Sequence, residues 1–131
     1  MIGTASDWLA KAHDDLQTVV LLLTFDDYPR AIAAFHCQQA AEKSLKALLT
    51  AYGVPFLYRH DLGYLLDLCL DVDPACAELE PHIDGLTPYA VEMRYPADLP
   101  LTPTASEVKQ FYRQAQTVYR FVESRIVSPE D

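Results

Sequence analysis

Glycine is scarce in this 131-residue chain: its four copies, Gly3, Gly53, Gly63 and Gly85, stand too far apart to build a loop that cradles a phosphate with backbone amides. No Walker A loop, GxGxxG, GxSxG or HExxH occurs, which excludes the standard nucleotide-binding and hydrolase folds. The three cysteines, Cys37, Cys69 and Cys76, form no CxxC pair, and their odd number argues against a disulfide framework. They read as small, reduced, buried hydrophobes without a catalytic part. His13, His36, His60 and His82 lack metal-ligand spacing to one another or to a cysteine, so neither a metal nor another cofactor is expected. Runs of 18 uncharged apolar residues are missing, and no segment alternates as a strand should. The first fifteen residues have no basic region ahead of an apolar one, so the expected setting is the cytoplasm, away from membranes. A length of 131 with half the residues apolar suits one domain over residues 1–131 with a single core.

Positive charge is also in short supply. The net charge of −9 weighs against a polyanion partner, but its distribution qualifies that. Asp7, Asp14, Asp15, Asp26 and Asp27 oppose only Lys11 in residues 1–27, and Arg94 is the lone cation between residues 61 and 98. Residues 28–60 reverse the sign, with Arg30, Lys43, Lys46 and Arg59 against Glu42.

What the sequence does have is helical periodicity. Trp8, Leu9, Ala12, Leu16, Val19, Val20 and Leu23 follow i, i+3, i+4 spacing between Ser6 and Phe25, with Thr4 or Ser6 as cap. A second helix is predicted from a cap at Asp26 or Asp27, with Pro29 in its first turn, to about Tyr52, where Gly53 and Pro55 stop it. Asp61 caps a third, and a proline-punctuated segment follows from Asp73 to Tyr95. The last helix opens on Thr104 and Glu107 at capping-box spacing and carries the stripe Val108, Phe111, Tyr112, Ala115, Val118, Tyr119, Val122, Ile126. Helices with one apolar stripe each and short connections predict an all-α, antiparallel up-and-down bundle of four to five helices. Leu21, Leu22 and Phe121 lie off the main stripes, and such excess apolar surface points to a homodimer.

The second helix carries the charge pattern. At about 100° per residue, Ala34, Ala41, Leu45, Leu48 and Tyr52 form a core face, and His36, Gln39, Lys43 and Lys46 form a stripe roughly opposite. Ala33, Ala40 and Ala47, with Ser44 beside them, make a narrow line suited to close approach by another helix. Gln38, next to the core face, needs a hydrogen-bond partner. The polar stripe is either a solvated face with Gln39–Lys43 and Glu42–Lys46 as neighbours, or a binding surface for a phosphate-bearing ligand. The outer face of the last helix, with Lys109, Arg113, Gln116 and Arg120, poses the same alternative.

Three stretches in order, AFHCQQAAEKSLKALL, RHDLGYLL and TPYAVEMRYP, resemble the HEPN domain, the higher eukaryotes and prokaryotes nucleotide-binding domain, over most of the chain. The resemblance implies a bundle of four or five helices, commonly dimeric, with nucleotide or RNA as ligand. It also implies a minimal nucleotidyltransferase as partner in a toxin–antitoxin-like pair. Toxin members of the superfamily are metal-independent ribonucleases whose motif is an Arg, four to six residues and a His, shared between two subunits. Arg30 and His36, separated by five residues, satisfy that spacing, although the motif there usually lies on a later helix. The Arg-Tyr-Pro that closes the penultimate helix in similar members falls on Arg94, Tyr95 and Pro96. The expectation is therefore a ligand-binding protein using His36, Gln39, Lys43, Lys46, Arg94 and Tyr95. A ribonuclease toxin acting through Arg30 and His36, and a structural adaptor without nucleotide affinity, are the alternatives.

Overall fold

A computed structural model describes residues 4–57, 61–86 and 102–126, and among them every regular element is helical. The order is α1 (Ala5–Leu22), α2 (Arg30–Ala51), α3 (Leu62–Val72), a 3-10 turn (Pro74–Leu79) that runs into the short α4 (Glu80–Ile83), and α5 (Ala105–Arg125). This is the all-α bundle that the periodicity predicts.

Each long helix starts where the sequence supplies a side-chain acceptor, with one exception. Thr4 and Asp7 close a capping box on α1, and Thr104 and Glu107 close another on α5. Asp61 accepts from the amides of Gly63 and Tyr64 at the start of α3. The exception is α2, where neither Asp26 nor Asp27 is the cap: Pro29 holds that position and makes no side-chain capping bond. Its fixed φ of −71° presets the entry, and its carbonyl still accepts the amide of Ala33 at 3.1 Å. Helix α2 ends in a Schellman arrangement: Gly53 takes φ +71°, and the amide of Val54 reaches back to the carbonyl of Leu49 at 2.9 Å. Only glycine adopts that backbone at no steric cost.

Helix α2 is the axis of the molecule. It packs against α1 most extensively, then α5 and α3. Trp8 near the start of α1 meets Lys46 late in α2, so these two helices run antiparallel. Arg30 contacts Pro103 just before α5, while Tyr52 and Arg125, at the far ends of α2 and α5, meet on Asp73, so α2 and α5 share a direction. The core gathers Leu16, Val19, Leu45, Leu48, Leu49, Leu62, Leu65, Leu79 and Val118 around this axis. Ala33, Ala40 and Ala47 are fully buried, as their small, evenly spaced side chains suggest.

Encasement of α2 corrects the two-faced reading of that helix. Tyr52, expected in the core, is 47% exposed, whereas Gln39, Glu42 and Lys46 are 8%, 2% and 4% exposed. A helix flanked by neighbours on several sides has little solvated face, and its polar groups must find partners inside. Phe121, read as surplus apolar surface, instead packs against the core with the Arg125 guanidinium 5.3 Å above its ring.

Candidate functional site

An acid sits inside the apolar stripe of α1. Trp8, Ala12, Asp15 and Val19 follow one another at helical spacing, and Asp15 is buried among them where α1 meets α2. Its two oxygens are both taken by α2: His36 Nδ1 donates to Oδ1 at 2.8 Å, and Lys43 Nζ donates to Oδ2 at 2.7 Å. The acceptor fixes the tautomer, because an ionised carboxylate cannot donate; Nδ1 carries the proton and Nε2 is left as the second face of the ring. The ring of Phe35 lies edge-on to the imidazole, with centroids 5.6 Å apart. The His36 and Lys43 side chains remain 27% and 23% exposed, so both heads are fixed from within and still reach solvent.

Behind this rim runs a buried polar chain along α2. Gln39 Nε2 donates to Gln38 Oε1 at 2.7 Å, Gln38 Nε2 donates to Glu42 Oε1 at 3.1 Å, and Lys46 Nζ donates to Glu42 Oε2 at 2.9 Å. Gln38 thus has the partner its position demands. The Lys46 ammonium also lies 5.3 Å from the Trp8 ring centroid and 5.8 Å from that of Phe56, two aromatic faces that favour a cation.

Of the residues singled out in the sequence, His36 and Lys43 converge on one carboxylate at the rim, and Gln39 and Lys46 lie beneath it. Arg94 and Tyr95 fall outside the described residues, as do Arg59 and His60. Arg30 does not join His36 within one chain: its Nε donates to the carbonyl of Pro103 at 2.7 Å, toward α5, while His36 turns toward α1. Six residues on a helix carry a side chain about 9 Å along the axis and to another face. The group that sequence reasoning missed is Asp15. Its signal was available, since a carboxylate in an apolar stripe needs a cation from a neighbouring element.

A second carboxylate centre closes the end of the bundle where α2 and α5 finish. Arg125 grips Asp73 with two bonds, Nε to Oδ2 at 2.8 Å and Nη2 to Oδ1 at 2.7 Å, and Tyr52 Oη donates to Oδ2 at 3.4 Å. The guanidinium, helped by the Ala75 amide, holds the Asp73 carboxyl below the usual carboxylate range against the opposing effect of burial. Burial pushes the Cys37 thiol up to about 12 and the Cys76 thiol up to about 11, and Cys69 is displaced in the same direction. Thiols held so far from ionisation are poor nucleophiles. Among the described residues no group of three His, Cys, Asp or Glu side chains is placed to hold a metal ion.

Compared with known proteins, residues 5–125 match the family model described as the HEPN domain. The fold is similar to the crystal structure of an archaeal HEPN homologue, with a TM-score of 0.73 at 22% identity over 95% of this chain and 99% of that one. It is similar as well to the crystal structure of a protein from Thermus thermophilus, with a TM-score of 0.73 at 32% identity over 92% of this chain and 97% of that one. No curated protein matches the chain.

Proposed function

The chain belongs to the HEPN domain family, and from that premise we propose that it binds a nucleotide or RNA at the α1–α2 rim as a non-catalytic protein. The observation that carries the reading is the doubly occupied Asp15 carboxylate, which presents an imidazole and an ammonium side by side at a partly exposed seam. One N–H of Lys43 is spent on Asp15, leaving two donors for a phosphate, and His36, whose Nδ1–H is held by Asp15, adds a donor at Nε2 in its protonated form. Gln39 and Lys46 support this rim from beneath, and Arg94 and Tyr95 complete the proposed ligand set. By the same family resemblance, the chain acts as a homodimer, paired with a minimal nucleotidyltransferase in a toxin–antitoxin-like system. None of the described helices is long and apolar enough to cross a membrane.

The test is fluorescence anisotropy with labelled mononucleotide and short RNA. Binding should weaken steeply as salt rises, and His36→Ala with Lys43→Ala should abolish it while melting stays cooperative. Absence of binding at millimolar nucleotide would leave the adaptor reading in its place. One observation favours the ribonuclease alternative: a carboxylate on Nδ1 aims Nε2 outward, as a general base requires. Arg30 would then have to come from a second copy of the chain. RNA cleavage by the purified protein without added metal, lost on His36→Ala, would decide for that alternative.

A further inference from the structure

Two of the three cations on α2 are neutralised inside the fold, and the third is engaged by the backbone. Lys43 is bound by Asp15, Lys46 by Glu42 and Arg30 by a carbonyl, and Arg125 is bound by Asp73. Lys109, Arg113 and Arg120 are different. All three are exposed on α5, and among the described residues none has an ion-pair partner.

Their spacing of four and seven residues puts the three cations on one line, directly opposite the buried stripe Ala115, Val118 and Val122. The line runs over twelve residues, a length of about 16 Å on a helix, which is the span of several nucleotides. Gln116 lies on it as well, its amide donating to Tyr112 Oη at 3.2 Å. Of the two acids of this helix, Glu107 is turned back to accept the Thr104 amide at 2.9 Å and lies on another side of the helix, while Glu123, which accepts from Tyr119 Oη at 3.4 Å, sits three residues from Arg120, so the face carries three cations against one neighbouring acid.

We propose that this outer face of α5 is a docking surface for the phosphate backbone of an RNA strand, contacted by Lys109, Arg113 and Arg120. The proposal rests on the nucleotide or RNA reading above and extends the ligand from one nucleotide at the rim to a strand along α5. RNA is favoured over an acidic protein because the exposed positions of this face, Lys109, Gln110, Arg113, Thr117 and Arg120, include no apolar anchor. Protein interfaces draw their affinity from buried aromatic and aliphatic anchors, whereas a phosphate backbone needs only cations and polar donors.

The experiment compares the full-length parent with the triple variant Lys109→Gln, Arg113→Gln, Arg120→Gln, using a labelled 12-nucleotide single-stranded RNA and a labelled mononucleotide from 50 to 300 mM salt. The variant is expected to bind the RNA on the order of tenfold to a hundredfold more weakly at low salt, with the slope of log affinity against log salt shallower by about 2, as three lost phosphate contacts require. Mononucleotide affinity and melting temperature should not change, and a control that keeps Lys109 but carries Arg113→Lys and Arg120→Lys should retain the parent's slope. Equal RNA affinity and equal slope in parent and triple variant would overturn the proposal. So would a parent that binds mononucleotide but no RNA, which would leave the rim reading intact; failure with both probes would remove both. Loss in the triple variant of a protein partner, with RNA binding unchanged, would reassign the face to protein docking.

Discussion

Replacing Lys46 by Met tests whether the polar chain of α2 is an internal structure or a surface. Lys46 and Glu42 form a pair at 2.9 Å whose side chains are only 6% and 3% exposed. Methionine keeps the length and apolar stem of lysine but removes the ammonium. Glu42 then loses one charged donor inside the bundle, while the bond from Gln38 at 3.1 Å is untouched. Breaking a buried ion pair from one side costs about 3–5 kcal/mol, because the surviving charge keeps its desolvation penalty. For a chain of this size that corresponds to a melting temperature lower by about 10–20 °C. Removing both charges, Glu42→Gln with Lys46→Met, leaves an amide that still accepts from Gln38, and this double variant should recover most of the loss. Thermal and urea melts of the parent, both single variants and the double variant give the coupling energy. A Lys46→Met protein melting within about 2 °C of the parent, well under the 1 kcal/mol scale of an exposed pair, would refute the buried pairing.

Three further outcomes follow from other parts of the fold. Because the folded Asp73 carboxyl is depressed, its stabilising contribution is present above the ordinary carboxylate pKa and is lost as pH falls through the lower folded value; the melting gap between parent and Asp73→Asn, open at pH 7, should therefore close below about pH 4. Ellman's reagent at pH 8 should find none of the three thiols in the native protein and all of them in denaturant, and Cys37→Ser should preserve ligand binding; loss of binding in a normally melting Cys37→Ser protein would contradict this. Light scattering at tens of micromolar should return twice the 14.7 kDa chain mass, and Leu21→Glu with Phe25→Glu, two residues 65% and 63% exposed near the α1–α2 turn, should return the monomer; a monomeric parent would end the dimer proposal.

Local signals in the sequence translate well into this structure. Thr4, Asp61 and the Thr104–Glu107 pair cap their helices because a capping bond spans three residues and needs nothing from elsewhere. Gly53 ends α2 for the same local reason. The α2 cap at Pro29 escaped because two adjacent aspartates looked like better acceptors, and nothing local shows that the turn places them too early in the chain. The candidate site was half legible. The helical spacing put His36 and Lys43 on one stripe, but one period describes one helix, and what those side chains do is decided by Asp15, twenty-one and twenty-eight residues away. The same limit applies to Lys46. A four-residue pairing with Glu42 reads alike on a wet or a dry face, and only the arrival of Trp8 and Phe56 makes it dry.

The Asp73 carboxylate has a consequence for how the molecule comes apart. It receives the end of α5 from 52 residues downstream and the end of α2 from 21 residues upstream, while its own backbone starts the 3-10 turn. Terminal helical turns ordinarily fray, opening and closing independently of the rest. Here the last turn of α5 shares an anchor with two other segments, so releasing it strips the turn at Pro74 of its charged partner and loosens the end of α2 in one event. Fraying at this end of the bundle is thereby converted from a local fluctuation into part of a larger cooperative opening. Amide exchange around Val122 and Arg125 would accordingly report on that opening rather than on the looseness of a terminal helix.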